Sequence, residues 1–382
     1  MKTLDQANIS NGSRIFLRAD FNVAVQDGVV ADDFRIRKTL QTLNFLKEKG
    51  ANVVIVSHIE NAAGVKSTPT PLPVVAALAK LGFPCEFAET IEEAAKKSAE
   101  QKSSFVLLEN IRKYPGETVN DPAFSKQLAA LGDIYVNDAF SVSHRLHASI
   151  VGVPALLPHF AGFQLALEVK NLSLAFDPPH PFLFILGGAK FDTKLPLVQK
   201  FLEKADDIFI GGALANDFFK AKGYEIGRSM VSSAKIDFDG LLSNDKILLP
   251  TDVVADDGVE KAVEPEKLAA NEKILDAGPK TLVLLKEKIS AAKFILWNGP
   301  LGNYENGYKE PTHELARMIA NATTDGVESI VGGGDTLAAI AELKQTSGES
   351  LEDSFTFVST GGGAMLDFLA KGTLQGIAAL DA

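Results

Sequence analysis

The chain has 382 residues, 46% of them hydrophobic, and a formal net charge of -11 from 38 basic and 49 acidic side chains. At about 100–200 residues per domain the length points to two domains with real cores, and the acidic balance weighs against nucleic-acid or anionic-membrane binding. The one cysteine, Cys85, rules out an internal disulfide and a cysteine-cluster metal site, and no apolar run is long enough to span a bilayer.

The predicted elements alternate along the chain. Ile15-Phe16-Leu17 reads as a strand. Ile36, Leu40, Leu43 and Leu46, spaced by four, three and three, mark one face of a helix that opens after Asp32-Asp33 as its cap. Strands follow at Val53 to Val56, Phe105 to Leu108 and Ile134-Tyr135-Val136. Cys85 sits between, in the apolar Leu81-Gly82-Phe83-Pro84-Cys85, as a buried structural thiol. A domain boundary is expected after Gly152-Val153-Pro154, with a linking helix over Ala161 to Ala175 and a break at Asp177-Pro178-Pro179-His180-Pro181. Further strands are expected at Phe182 to Leu186, Ile208 to Ile210, Ile247 to Leu249, Phe294 to Leu296, Ile330-Val331 and Phe355 to Val358. Helices are expected from Pro311, over Thr336 to Leu343 and over Ala364 to Leu369. The apolar runs are near-continuous, as suits strands covered on both faces of a parallel sheet. Their alternation with helices gives an α/β class with right-handed crossovers. Met1-Lys2-Thr3-Leu4-Asp5 lacks a signal-peptide apolar core, so a soluble cytoplasmic protein is expected.

Nearly every predicted strand ends in a polar or glycine-rich cluster, and ligands of open parallel sheets bind beyond the carboxyl ends of the strands. In the first half the clusters are basic or hydrogen-bonding: Arg18-Ala19-Asp20-Phe21-Asn22, Asp33 to Arg37, Ser57-His58, Glu109 to Arg112, and Asn137 to Phe140 leading to His144-Arg145-Leu146-His147. Arginines at equivalent strand ends suit a small anion held by charge-assisted bonds. His144 and His147 have no carboxylate or cysteine at ligand spacing, so positioning is a better role for them than metal binding. In the second half the clusters are Gly187-Gly188-Ala189-Lys190, Gly211-Gly212-Ala213, Trp297 to Pro300, Gly332-Gly333-Gly334-Asp335-Thr336 and Ser359 to Ala364. Glycines let backbone N–H groups approach phosphates, and a following helix adds its positive end. No segment reads G-x-G-x-x-G and no Gly-Lys pair occurs, which opposes a nicotinamide-dependent oxidoreductase and excludes a standard P-loop ATPase.

Taken in order, these clusters resemble those of the phosphoglycerate kinase family, from Arg18 to Ala379. The resemblance implies two Rossmann-like three-layer domains with parallel sheets, joined by an interdomain helix and hinge. Residues 1–160 would bind the phosphoglycerate, 161–178 would link, 179–367 would bind nucleotide, and 368–382 would return to the first domain. It implies a monomer that transfers a phosphoryl group between 1,3-bisphosphoglycerate and ADP, giving 3-phosphoglycerate and ATP, with Mg²⁺ and hinge closure. Asp20, Phe21, Asn22, Arg35, His58, Arg112 and Arg145 match the family's substrate positions. Gly187, Gly188, Lys190, Lys194, Gly211, Asn298, Glu305, Gly332, Gly333, Gly334, Asp335 and Thr336 match its nucleotide positions, with Glu305 toward the ribose and Asp335 toward the metal. Arg35, Lys190 and the amides of Gly361, Gly362 and Gly363 are the expected contacts of the moving phosphoryl group.

The sequence departs from the family after His58. Where the family has a leucine and then Gly-Arg-Pro, this chain has Ile59-Glu60-Asn61-Ala62. Loss of that arginine removes a charged hydrogen bond worth about 1.5–3 kcal/mol. A weakened hold on 3-phosphoglycerate is therefore expected, with Glu60 adding repulsion and Lys66 or Lys113 as possible substitutes. Ala213, Phe191, Asp192 and Met365 are smaller departures, and Ala62 to Thr70 reads as a variable surface loop. The alternative reading is a non-catalytic nucleotide-binding homologue.

Overall fold

Strands without alternation need cover on both faces, and most of these runs are buried along their whole length. The computed structural model describes residues 1–60, 69–100, 105–189, 191–233, 237–238, 240–348 and 350–382, the side chains of 191–193 apart. Asn61, Ala62, Lys66, Lys190 and the side chains of Phe191 and Asp192 therefore lie outside the described residues. The chain divides into two compact units, Met1–Lys170 with Lys371–Ala382, and Asn171–Ala370.

The first unit holds β1 (Arg14–Arg18), a short antiparallel ribbon of β2 (Val25–Gln26) and β3 (Val29–Val30), β4 (Asn52–Val56), β5 (Glu86–Ala88), β6 (Phe105–Leu108), β7 (Ile134–Asn137) and β8 (His159–Ala161). Six of these strands form one parallel sheet in the order β5-β6-β4-β1-β7-β8. Ile15, Leu17, Val53, Ile55 and Leu107 meet Ile36, Leu43 and Leu46 in its core. The helix expected over Ile36 to Leu46 is two helices, Phe34–Lys38 and Leu40–Glu48, parted at the buried Thr39. Asp33 is the N-cap residue of the first, but the Asp32 side chain meets its open amide: Phe34 N–H donates to Asp32 Oδ1 at 2.9 Å, while the Asp33 side chain holds Arg37. Cys85 is half-buried against the core, and burial pushes its thiol up to about 12, which makes it inert. The chain's last residues belong here too: Gly376 N–H donates to Ser143 O at 2.7 Å, and Asp381 pairs with the Met1 amino group.

The division between the units falls inside the helix Phe163–Ser173. Its start is held by Asp138, whose Oδ1 accepts from Gln164 N at 2.8 Å and Leu165 N at 3.2 Å.

The second unit holds β9 (Phe182–Leu186), β10 (Asp207–Ile210), β11 (Ile247–Leu248), β12 (Val253–Asp256), β13 (Glu260–Val263), β14 (Lys273–Ala277), β15 (Phe294–Asn298), β16 (Glu328–Gly332) and β17 (Phe357–Ser359). A parallel sheet runs β11-β10-β9-β15-β16-β17, with the chain reversing its direction of travel between β9 and β15. A second sheet, antiparallel in the order β13-β12-β14, has no counterpart in the sequence reading. Its strands lack a continuously buried run: β12 alternates buried and half-buried positions, and β13 is mostly exposed. Among the described residues no helix is long and apolar enough to cross a membrane.

Beneath the first sheet's strand ends lies a buried ionic link. Glu117 is fully buried and accepts from Ser149 N at 2.9 Å and Ser149 Oγ at 2.6 Å, and that hydroxyl accepts from the fully buried Arg18 Nε at 2.9 Å. Removing one partner of such a pair leaves the other charge buried and uncompensated. Glu117→Ala is expected to destabilise the first unit by about 3–5 kcal/mol and Glu117→Gln by less. Urea unfolding followed by circular dichroism would read this, since the one tryptophan, Trp297, lies in the other unit.

Candidate functional site

In the first unit the polar groups gather beyond β1, β4, β6 and β7. Asp20, just past β1, accepts from Arg35 Nη1, from Ser141 Oγ at 2.6 Å and from Asn22 N at 3.2 Å. Burial raises its carboxyl, but Arg35 and these hydrogen bonds bring it below the ordinary value. His58 is buried at the end of β4, its Nδ1 3.4 Å from Arg18 Nη2. Burial, then the charge of Arg18, lowers its pKa to about 3, and Arg112 and Arg35 push in the same direction. His147 is lowered to about 4, first by burial and then by Arg112, Arg18 and Arg145. Arg18, Arg112 and Arg35 thus keep the His58 imidazole neutral, and Arg112, Arg18 and Arg145 the His147 imidazole. Arg145 is exposed, and Arg35 and Arg112 are half-buried. Arg112 reaches Glu60 at 3.7 Å.

Two expectations change here. The Phe21 ring lies in the hydrophobic core, and its N–H donates to Ser57 Oγ at 2.8 Å, so it fixes the loop from behind. Lys113 is bound to Glu109 at 2.5 Å and is no free replacement for a missing cation. Among the described residues no three metal-ligating side chains cluster, so His144 and His147 belong to no such group.

In the second unit the glycine clusters meet where the sheet reverses. Gly187 N–H donates to Asn298 O at 2.8 Å, Gly188 N–H to Pro300 O at 2.9 Å, and Gly212 N–H to Leu301 O at 3.0 Å. A side chain on Gly187, Gly212 or Gly299 would collide with the backbone of a neighbouring loop, and Gly211 faces Leu301. These glycines serve loop-on-loop packing rather than open approach to a phosphate, which corrects the expectation for Gly187 and Gly211. Lys194 is buried with Nζ on Gly187 O. Asn298 Nδ2 donates to Gly332 O at 2.9 Å, beside Gly333 and the Met365 sulfur, and Thr336 Oγ1 accepts from Gly299 N at 2.8 Å. Both side chains are buried and fasten strand ends together. The Gly361 N–H donates to Ser359 Oγ at 3.1 Å, which removes it from the expected donors. Gly334, Gly362 and Gly363 face open space at the starts of the helices Gly334–Thr346 and Gly363–Lys371, where first-turn amides lack intrahelical acceptors. A cavity of about 190 Å³ opens beside these loops, lined by Gly188, Gly212, Ala213, Pro300, Leu301, Glu305 and Asp335. Glu305 and Asp335 are exposed at its rim.

Comparison with known proteins agrees with this geometry. The model of the family described as phosphoglycerate kinase matches residues 4–372. The phosphoglycerate kinase of Thermosipho africanus is 39% identical over 390 residues, 97% of this chain and 95% of that protein. A phosphoglycerate kinase of Thermus thermophilus is 40% identical over 387 residues, 97% of each. Among solved structures, phosphoglycerate kinase from Coxiella burnetii superposes with a TM-score of 0.83 at 32% identity, covering 99% of this chain and 98% of that one. The Pyrococcus horikoshii enzyme gives 0.84 at 30% identity, covering 100% and 98%. The chain belongs to the phosphoglycerate kinase family.

Membership makes the chain a phosphotransferase. Two residues beside the phosphoglycerate kinase motifs escaped the sequence reading. Glu117 forms the buried link described above with Arg18, which the sequence reading counted as part of the first strand-end cluster without its buried partner. Asp276, in Leu275-Asp276-Ala277 at the end of β14, lines the cavity. Its Oδ1 accepts from Ala277 N at 2.8 Å, while Oδ2 is buried without a partner among the described residues. The Tyr304–Asn306 turn that carries Glu305 is pinned from behind, with Tyr304 Oη donating to Glu342 and Lys309 Nζ donating to it at 2.7 Å.

Burial raises the Asp276 carboxyl from 3.8 to about 7. The folded chain then holds a proton that the unfolded chain releases between these values, so this group's contribution to stability is lost as pH rises from about 4 to about 7. Asp276→Asn keeps the shape and cannot ionise. Its thermal midpoint is expected to exceed the parent's at pH 8 and to approach it at pH 5, as scanning fluorimetry at the two pH values would read. An equal shift at both values would remove ionisation as the cause.

Proposed function

We propose that the chain catalyses reversible phosphoryl transfer between 1,3-bisphosphoglycerate and ADP, giving 3-phosphoglycerate and ATP. The observation that carries the reading is the gathering of Arg35, Arg112 and Arg145 around neutral, buried His58 and His147 at the strand ends of the first unit. A phosphoglycerate brings a carboxylate and a phosphate to that floor, and guanidinium forks suit both. Asp20 is negative there, so its favourable contact with such a ligand is the hydroxyl group, as an acceptor.

In the second unit the cavity would take the nucleoside, with Glu305 accepting from ribose hydroxyls. The open starts of the helices at Gly334 and Gly363 would face the phosphates. The donor set also bears on Mg²⁺. Asp335 offers one exposed carboxylate at the rim, and no metal-ligating trio occurs among the described residues. That suits an ion carried mainly by phosphate oxygens and water rather than by a protein cage. When bound with the nucleotide, Mg²⁺ supplies charge neutralisation at the phosphates.

Charge spreads over three equatorial oxygens of the moving group, so the protein's task is to position and neutralise. Arg35 would leave Asp20 for the phosphoryl oxygens, and the Gly362 and Gly363 amides would donate from the nucleotide side. Lys190 keeps its expected role from the resemblance. No covalent enzyme intermediate is required. With one ligand on each unit, turnover requires a hinge-closing movement that brings them in line and excludes water.

A coupled assay of ADP phosphorylation with 1,3-bisphosphoglycerate tests the reading; nucleotide binding without turnover would replace it with the non-catalytic homologue. Arg35→Ala is expected to lower kcat by on the order of 10³ or more while the nucleotide KM changes little. An unchanged kcat would take Arg35 out of the mechanism.

A further inference from the structure

One charged group at the first unit's strand ends has no part in the proposed reaction. Glu60 stands four residues past β4. Its N–H donates to Asn22 Oδ1 at 2.8 Å, which fixes its backbone at the edge of the arginine floor. Its Oε1 lies 3.7 Å from Arg112 Nη2. That distance is an ion pair and too long for a hydrogen bond. The Arg112 Nε is buried and has no acceptor among the described residues. Arg112 is therefore a cation whose donors are only loosely met.

The contrast with Arg35 sharpens the point. Its partner Asp20 is buried and held by Ser141 Oγ and Asn22 N. The Glu60 side chain is 56% exposed, and the nearby Lys113 is bound to Glu109. One arginine has a built counter-ion; the other faces a carboxylate on a solvent-exposed stem.

We propose that Glu60 is an internal stand-in for the anionic substrate, its carboxylate occupying Arg112 until a bound anion displaces it. This rests on the reading of these strand ends as the phosphoglycerate site. The incoming anion must displace an existing partner and accept a like charge nearby. The penalty falls on the phosphoglycerate and not on the nucleotide, whose candidate pocket lies wholly in the other unit.

Glu60→Gln keeps the length and the backbone bond to Asn22 and removes the charge; Glu60→Asp keeps the charge. Calorimetric titration of the full chain with 3-phosphoglycerate should show Glu60→Gln binding about 2- to 5-fold more tightly, the scale of an exposed ion pair. Glu60→Asp should stay near the parent, and the ADP dissociation constant should be the same in all three. Unchanged 3-phosphoglycerate affinity in Glu60→Gln, or equal tightening in both variants, would overturn the proposal. Titration with sulfate separates the two readings. If 3-phosphoglycerate binds no variant but sulfate binds Glu60→Gln more tightly than the parent, the substrate assignment fails and the competition stands. Equal sulfate affinity in that case would overturn the competition as well.

Discussion

Like charges resist being gathered, and the first unit gathers four guanidinium groups at one end of a sheet. Coulomb repulsion at such range is large unless solvent or counter-charge reduces it. Arg18 has no solvent, so its charge is met from within, by Glu117 through Ser149 and by the field of Asp20. Arg35 is met by Asp20. The imidazoles are kept out of the charge balance, His58 lowered to about 3 and His147 to about 4. Between an ordinary histidine value near 6.5 and these lowered ones, the unfolded chain binds protons that the folded chain refuses. The stability they contribute is present above about pH 6.5 and lost on acidification. Asp138, raised to about 6 by burial, runs the other way, its contribution lost as pH rises from 3.8 to about 6. A floor of cations thus stands only on a buried layer of carboxylates and neutral rings, and every substrate contact proposed for this unit depends on that layer.

The second unit solves a different problem. Its site is backbone rather than charge. Where the sheet reverses between β9 and β15, loops from several strands must pass within backbone contact, and Gly187, Gly212 and Gly299 leave no room for a side chain. The buried polar side chains Asn298, Thr336 and Lys194 then tie loop to loop. Only after this packing is complete do Gly334, Gly362 and Gly363 stand free at helix starts. Glycine in this unit has two functions that the sequence pattern alone does not separate: some positions let protein meet protein, and others leave space for a ligand.

The same distinction separates what the sequence reveals from what it hides. Most of the parallel strands were legible because burial on both faces abolishes alternation. β5, β8 and the antiparallel sheet were not, because strands of three to five residues with exposed or mixed faces carry no such signature. The arginine clusters were legible as strand-end groups. Phe21 was drawn in by adjacency within Arg18 to Asn22, yet the chain leaving β1 turns that ring into the core. Gly361 was drawn in by its triplet, yet Ser359 takes its amide. Glu117 and Asp276 were passed over, and Arg18 was counted as a strand-end cation without its buried partner, because a buried charge is recognised only through its surroundings, and those are distant in sequence.

The departure after His58 can be placed in the same physical terms. Binding that is equal in the ground state and the transition state sets KM and leaves kcat alone. Glu60 and Arg112 meet across the ends of β4 and β6, whereas Arg35, Asp20, Ser141 and Asn22 form a net past β1 that Glu60 touches through its backbone N–H on Asn22 and not through its carboxylate. A carboxylate opposed to Arg112 weakens the grip on the acceptor without entering the net that holds Arg35. Loss of one anchoring arginine and gain of an opposing acid are therefore compatible with an intact transfer step. On the proposed reading, the hold on substrate at one strand end can weaken without loss of transfer because the groups assigned to the moving phosphoryl are built on others.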